Sequence, residues 1–80
     1  MDTISAVLDR IGQLCTERDL AYNALAHLSG VHPSTVKGIV SGKSKNPGII
    51  TLKKLCDGLE IPLPEFFNTD EFFNLEQEIR

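Results

Sequence analysis

Apolar residues between positions 20 and 41 recur with a helical period that is interrupted once, at Gly30. The part before the glycine predicts a short helix over about residues 22–29. Its inward residues are expected to be Leu25, Ala26 and Leu28, with Leu20 packing from the preceding turn. Gly30 stands where a helix C-cap needs a residue that adopts positive φ without a steric penalty. Val31 then packs back as the chain turns.

The part after the glycine predicts a second short helix, over about residues 33–41. Pro33 suits the first helical position and holds His32 in the extended conformation of an N-cap, although an imidazole is expected to cap poorly. The inward residues are Val36, Ile39 and Val40, and the outward ones are Ser34, Thr35, Lys37, Gly38 and Ser41. Two short helices joined at one glycine, the second with a small polar outer face, predict a helix-turn-helix.

Three more helices are predicted around this pair. A helix over about residues 3–18 carries an apolar stripe at Ile4, Val7, Leu8, Ile11, Leu14 and Cys15. Gly12 lies within it and indicates close packing against a neighbour. A helix over about residues 49–59 turns Lys53 and Lys54 outward and Ile49, Leu52, Leu55, Cys56 and Leu59 inward, with Gly58 weakening its last turn. A short helix from Pro64 buries Leu63, Phe66 and Phe67 against the helices at 3–18 and 49–59.

Residues 69–80 form an acidic, aromatic tail, which we separate from the domain of residues 1–68. Thr69 followed by Asp70 and Glu71 is typical of a helix N-cap with acids in the first turn, so an extra helix is predicted here. The apolar residues of the tail are Phe72, Phe73, Leu75 and Ile79. Three alternatives remain open for them: packing on their own domain, contact with a second subunit, or fraying.

The helix-turn-helix stretch and the residues after it resemble a known family. The residues that carry the likeness are Leu25-Ala26, Gly30-Val31, Ser34-Thr35-Val36, Ile39, Gly42-Lys43 and Asn46-Pro47. They are similar to the Cro/cI-type helix-turn-helix domain of phage repressors and small bacterial regulators, over about residues 4–67. The resemblance implies an all-α, lambda-repressor-like fold, a compact bundle of about five short helices. It also implies binding to double-stranded operator DNA, usually as a homodimer.

In such a domain the second helix of the motif lies in the major groove. Many relatives have long polar side chains where this chain has Pro33 and Gly38, so the reading face is bare. Direct base reading is then expected from Ser34 and Lys37, helped by Thr35, around the open position at Gly38. The alternative is recognition of DNA shape.

Phosphate contacts are expected on either side of that helix. Residues 42–48 combine lysines, small polar donors and turn-forming residues, so this loop either lies along phosphates or is a plain solvent-facing turn. Its candidate contacts are Lys43, Ser44, Lys45 and Asn46. His32 is expected at the cap, near the phosphate backbone. Tyr22 stands where relatives often have a phosphate-contacting glutamine, and it either donates one hydrogen bond to a phosphate or packs partly into the core.

The formal net charge of −3 argues against a nucleic-acid partner until its distribution is considered. Residues 1–19 carry a net charge of −2 and residues 57–80 carry −6. The segment 20–56 contains five lysines and no acid, so it carries +5. A merely solvated lysine face remains the alternative, but the absence of acids around the predicted helix-turn-helix favours a phosphate-binding surface.

Eighty residues, of which 41% are hydrophobic and 24% charged, are typical of one ordinary globular domain. No stretch is long and apolar enough to span a membrane, and the sequence predicts a cytoplasmic protein. Cys15 and Cys56 each lie in a predicted helix and are expected to be small buried hydrophobes in a reducing compartment. A disulfide between them is the alternative. A zinc site with His27 and His32 lacks the usual ligand spacing, so no metal or other cofactor is predicted.

No nucleophile with a base, paired carboxylates or phosphate-cradling glycine loop appears at a usable spacing, so the sequence does not predict an enzyme. No small-molecule effector is evident. The leading hypothesis is a sequence-specific regulator that binds double-stranded DNA as a homodimer. The rival is a protein-interaction module, an antitoxin or adaptor subunit, that docks through the acidic aromatic tail. Nonspecific duplex binding at low salt distinguishes the two.

Overall fold

The computed structural model describes residues 1–79, which contain six helices. They are α1 (Thr3–Glu17), α2 (Tyr22–Ser29), α3 (Pro33–Val40), α4 (Ile49–Leu59), α5 (Leu63–Phe67) and α6 (Asp70–Phe73). The all-α class is therefore confirmed. The bounds predicted for α2 and α4 are correct, whereas α1 and α3 each end one residue earlier than expected. No helix in the described part of the chain is long and apolar enough to cross a membrane.

Local chemistry explains where several helices begin and end. At the start of α1, the Ser5 amide donates to Asp2 Oδ1 at 2.9 Å, and hydrogen bonding to Ser5 holds the pKa of Asp2 below its usual value. At the end of α2, Gly30 adopts φ +66°, as predicted, and Val31 N donates to the carbonyl of Ala26 at 3.0 Å. This closing bond directs the chain from α2 into α3.

The core lies where α1, α2, α3 and α4 meet, with α5 closing one end. Its buried hydrophobic residues are Ala6, Val7, Ile11, Leu14, Cys15, Leu25, Ala26, Val36, Ile39, Leu52, Leu55, Cys56, Leu59, Ile61 and Phe66. The positions predicted for α3 are confirmed, because Val36 and Ile39 are buried and Val40 packs against them. Two predictions are wrong: Leu28 is 60% exposed and Ile49 is 57% exposed. Each lies at the end of its helix, beyond the neighbouring element that would have covered it.

The two cysteines are buried and are not joined by a disulfide. Burial raises the pKa of both thiols, because the low-polarity surroundings disfavour the thiolate. Cys15 and Cys56 therefore act as small apolar residues of the core, as the sequence predicted.

Gly58 allows α4 to pack closely on α2. A Cβ placed at Gly58 would overlap Ser29 Oγ and would lie only 3.2 Å from both Ser29 Cβ and Ser29 N. The prediction that this glycine simply weakens the last turn of α4 misses its main role, which is to leave room for Ser29. The Ser29 hydroxyl is buried there, without a hydrogen-bond partner among residues 1–79.

The tail folds back over its own domain. Thr69 caps α6 by accepting a hydrogen bond from Phe72 N, so the predicted extra helix is confirmed. Phe72 packs against the core, with its ring 5.0 Å from that of Phe67 and 6.1 Å from that of Phe66. The apolar set is nevertheless divided, because Phe73 and Ile79 are each 78% exposed.

The end of the tail lies beside the start of α1. Glu76 N donates to the carbonyl of Met1 at 3.3 Å, and Thr3 Oγ1 donates to Glu78 Oε2 at 2.6 Å. These contacts hold the acidic residues of the tail over one end of the domain.

Candidate nucleic-acid interface

The start of α3 is fixed by the residue that was expected to cap it poorly. His32 adopts an extended conformation, and its Nδ1 accepts a hydrogen bond from Ser34 N at 3.1 Å. The His32 carbonyl also accepts from Thr35 N at 2.9 Å and from Val36 N at 3.3 Å. The prediction of a poor cap is therefore wrong, because the imidazole nitrogen reaches the amide that Ser, Asp or Asn would otherwise satisfy.

The outward face of α3 is open. Ser34, Thr35 and Lys37 are exposed, while Val36 and Ile39 anchor the opposite face in the core. At Gly38, an added Cβ would meet no atom within 4 Å outside the local helix backbone, so the surface is open there as well. The face is short and narrow, with one long cationic side chain rising from a floor of small residues.

Tyr22 lies beside this face, at the start of α2. Ala21, Tyr22, Asn23, Pro33 and Lys37 line one groove of about 350 Å³. The Tyr22 side chain is 40% exposed, and its Oη lies 3.4 Å from the position that a Cβ on Gly12 would occupy. Tyr22 therefore packs partly against α1, where Gly12 makes room for it, and it also contributes to the groove beside Lys37.

The loop of residues 41–48 folds back onto the end of α3. Gly42 adopts φ +83°, and Ser44 N donates to the carbonyl of Gly38 at 2.9 Å. Lys43, Lys45 and Asn46 are exposed, and Ser44 is half-buried. The loop is thus tied to the helix by its backbone while its lysines extend into solvent.

The candidate residues do not form a single cluster. Tyr22 and Lys37 share the groove, and His32 and Ser34 are hydrogen-bonded to each other. Lys45 and Asn46 instead line a separate cavity of about 650 Å³, whose other walls include Asp2, Glu76 and Glu78. The carboxylates of the tail thus lie near one end of the basic loop, an arrangement that local sequence patterns did not predict.

The five lysines of segment 20–56 differ in their surroundings. Lys53 forms an ion pair with Asp57, one turn along α4, which reduces the net charge that it offers to a partner. Within residues 1–79, Lys37, Lys43, Lys45 and Lys54 form no ion pair. The exposed cationic surface therefore combines α3, the following loop and Lys54.

Sequence reasoning missed one polar residue of the groove, Asn23, which lies beside Tyr22 and faces Lys37 across it. The signal was available, because Asn23 is a polar residue in the first turn of a helix that carries no charge there. Its carboxamide both donates and accepts hydrogen bonds, so it suits a polar ligand in the groove.

Comparisons with known proteins agree with this geometry. A family model described as Helix-turn-helix matches residues 11–66. The chain is also similar to a solved structure titled "Crystal structure of the prophage Lp1 protein 11", at 34% sequence identity and a TM-score of 0.79. That match covers 90% of this chain and 96% of the prophage protein. No curated protein sequence matches the chain.

The family match spans more than half of the chain and includes α2, the turn at Gly30, and α3. It identifies the DNA-binding domain of phage-repressor-type regulators that the residues themselves resemble. The chain belongs to the Cro/cI-type helix-turn-helix family.

Proposed function

We propose that this protein is a sequence-specific transcriptional regulator that inserts α3 into the major groove of double-stranded DNA. The observation that supports this most strongly is the open face of α3, where Lys37 rises beside the groove at Tyr22 within an acid-free segment of charge +5. A helix of this size fits the major groove, which is about 12 Å wide. The proposal is a binding activity in the cytoplasm and includes no catalytic step.

Base reading is assigned to Ser34, Thr35, Lys37 and the open position at Gly38. Lys37 is the one long side chain among them, and a lysine discriminates by donating to the O6 and N7 acceptors of guanine. Ser34 and Thr35 lie in the first turn of α3, the end of a recognition helix that approaches base edges. The open surface at Gly38 allows close approach of the DNA at the middle of the helix.

Phosphate binding is assigned to residues on both sides of α3. His32 and Tyr22 lie near its start, and the loop beyond its end supplies Lys43, Ser44, Lys45 and Asn46. These contacts position the protein on any duplex and carry no sequence information. Lys54 is a further candidate, because it is exposed and has no ion-pair partner within residues 1–79.

The regulator is proposed to act as a homodimer, so that two copies of α3 read two half-sites. Several large apolar side chains support a subunit contact because they lack cover on one chain. They are Leu28, Ile49, Ile50, Phe73 and Ile79. Phe73 and Ile79 belong to the tail of residues 69–80, which we propose as an element distinct from the domain of residues 1–68.

The alternative function is a protein-interaction module, either an antitoxin or an adaptor subunit. The exposed Phe73 and Ile79 favour it, because they lie among the acids of the tail, away from the basic face of α3. Such a module docks to a protein through the tail and does not require the lysines.

Measuring duplex affinity as a function of salt tests the proposal. If each subunit uses Lys43, Lys45 and either Lys37 or Lys54, a dimer neutralises about six phosphates and the slope of log affinity against log salt is about −5. Replacing Lys43 and Lys45 by Ala makes the slope shallower, and replacing the ion-paired Lys53 changes it little. A wild-type slope shallower than about −2, or no duplex binding at low salt, contradicts the proposal and favours the interaction module.

A further inference from the structure

The start of α3 contains a hydrogen-bond arrangement that determines what Ser34 offers to a ligand. His32 Nδ1 accepts from Ser34 N at 3.1 Å and also lies 2.8 Å from Ser34 Oγ. One ring nitrogen therefore contacts both the amide and the hydroxyl of the same residue. Both side chains are exposed, so the remaining valences of the pair face outward.

The amide determines the tautomer of His32. A backbone N–H only donates, so the Nδ1 that receives it carries no proton. In a neutral imidazole the ring proton is then on Nε2. The contact between Ser34 Oγ and the same Nδ1 must consequently be donated by the serine hydroxyl, since neither Nδ1 nor an oxygen lone pair supplies another proton.

This arrangement uses the only hydroxyl proton of Ser34. What Ser34 Oγ presents to the outside is a pair of acceptor sites and no donor. In the major groove the donors on base edges are the exocyclic amino groups, N6 of adenine and N4 of cytosine, whereas guanine offers acceptors at N7 and O6. An acceptor-only serine thus favours an amino group and does not pair with guanine.

We propose that Ser34 selects a base with an exocyclic amino group, adenine or cytosine, and that His32 is the positioning residue that makes this serine an acceptor. The inference rests on the proposed insertion of α3 into the major groove and specifies one part of what α3 reads. Lys37 selects guanine acceptors three residues further along, so the two side chains differ in the bases they favour. Nε2–H of His32 is left as a donor for a phosphate oxygen.

The tautomer is measured first, on the free protein. Long-range proton–nitrogen correlation NMR of ¹⁵N-histidine-labelled protein at neutral pH distinguishes a protonated ring nitrogen from an unprotonated one. We expect an unprotonated Nδ1 and a protonated Nε2 for His32, with His27 as the internal comparison. The pattern persists in Ser34→Ala, since that variant keeps the backbone N–H. A protonated Nδ1 on His32 overturns the proposal without reference to DNA.

Base selection is measured next, on a duplex chosen from a random library by the wild-type protein. At each adenine and cytosine of the preferred site, the base is replaced by its analogue that lacks the amino group, purine for adenine and 2-pyrimidinone for cytosine. Removing the amino group that Ser34 contacts is expected to lower wild-type affinity about five- to tenfold. The same replacement has no further effect on Ser34→Ala, which has already lost the acceptor.

Two variants control this experiment. Ser41→Ala removes an exposed serine beyond the other end of α3 and is expected to retain the full sensitivity to the missing amino group. His32→Ala frees the Ser34 hydroxyl to donate, so the preference for an amino group is expected to relax while Ser34 remains. If Ser34→Ala instead abolishes sensitivity to 7-deazaguanine, or to no analogue at all, the acceptor assignment is wrong. Failure of the wild-type protein to bind any duplex refutes the proposed function and, with it, base selection by Ser34.

Discussion

Ser29 and Gly58 form the tightest contact between α2 and α4. Because a methyl group at Gly58 would overlap the Ser29 side chain, Gly58→Ala must push the two helices apart. We expect it to lower the free energy of unfolding by about 1–3 kcal/mol, the usual cost of overpacking, even though alanine favours the helix. Urea denaturation followed by circular dichroism measures the change. A variant as stable as the wild type contradicts the packing described here.

Ser29 provides the matched control. Its buried hydroxyl has no partner among residues 1–79, so Ser29→Ala is expected to be neutral or to stabilise the fold by about 1 kcal/mol. Combined with Gly58→Ala, it removes the hydroxyl overlap but leaves Ser29 Cβ in place. The double variant should therefore lose less stability than Gly58→Ala alone, and strictly additive effects refute the proposed steric cause.

Residue-level features were predictable from sequence where the cause is local. Positive φ at Gly30 follows from its place after a helical period, and the Thr69 cap follows from the residue type and the acids behind it. The exposure of Leu28 was not predictable, because helical spacing gives the direction of a side chain and not the extent of the neighbouring helix. The His32 cap was missed because residue preferences rank imidazole low while geometry brings Nδ1 within reach.

At the scale of elements, α6 divides its two phenylalanines between different environments. Phe72 packs against Phe66 and Phe67, whereas Phe73 is largely exposed. We expect Phe72→Ala to lower the free energy of unfolding by about 2 kcal/mol and Phe73→Ala to change it by less than about 0.5 kcal/mol. Chemical denaturation of the two variants measures both values. Equal losses for the two substitutions contradict the described placement of α6.

The same division gives a clean test of the proposed subunit contact. Phe73 is available to a second chain without cost to the core, so Phe73→Ser is expected to leave the domain folded and to shift a tail-mediated dimer towards monomer. Light scattering over a range of protein concentrations measures this shift. A dimer that persists unchanged shows that the contact lies elsewhere, among Leu28, Ile49 and Ile50.

Elements were predicted from sequence to the extent that their signals are local. The helix-turn-helix is contained in 22 consecutive residues with a glycine, a proline and two short apolar periods, so its existence and bounds were readable. The course of the tail was not, because its position depends on contacts between residues far apart in sequence, such as Thr3 with Glu78. The arrangement of Tyr22 beside Lys37 likewise depends on how α2 and α3 cross.

At the scale of the whole molecule, acidic and basic segments meet at the cavity that Lys45 and Asn46 share with Glu76 and Glu78. These carboxylates oppose an approaching phosphate. We expect the double variant Glu76→Gln and Glu78→Gln to bind duplex DNA about two- to fivefold more tightly at low salt, with the gain fading above about 0.15 M as screening increases. Glu71→Gln, on α6 and outside that cavity, is the control. An unchanged affinity, or an equal gain from Glu71→Gln, contradicts this electrostatic effect.

The central claim is that α3 reads bases while the following loop holds phosphates, and the affinity of single variants for preferred and scrambled duplexes at matched salt tests it most directly. Lys37→Ala should cost about 1–3 kcal/mol on the preferred duplex and far less on the scrambled one, because a lysine on a guanine edge discriminates between bases. Lys43→Ala should weaken both duplexes about equally and reduce the salt slope by about one unit. If Lys37→Ala lowers both affinities by the same factor, Lys37 is only another phosphate contact, and base reading by this face of α3 is contradicted.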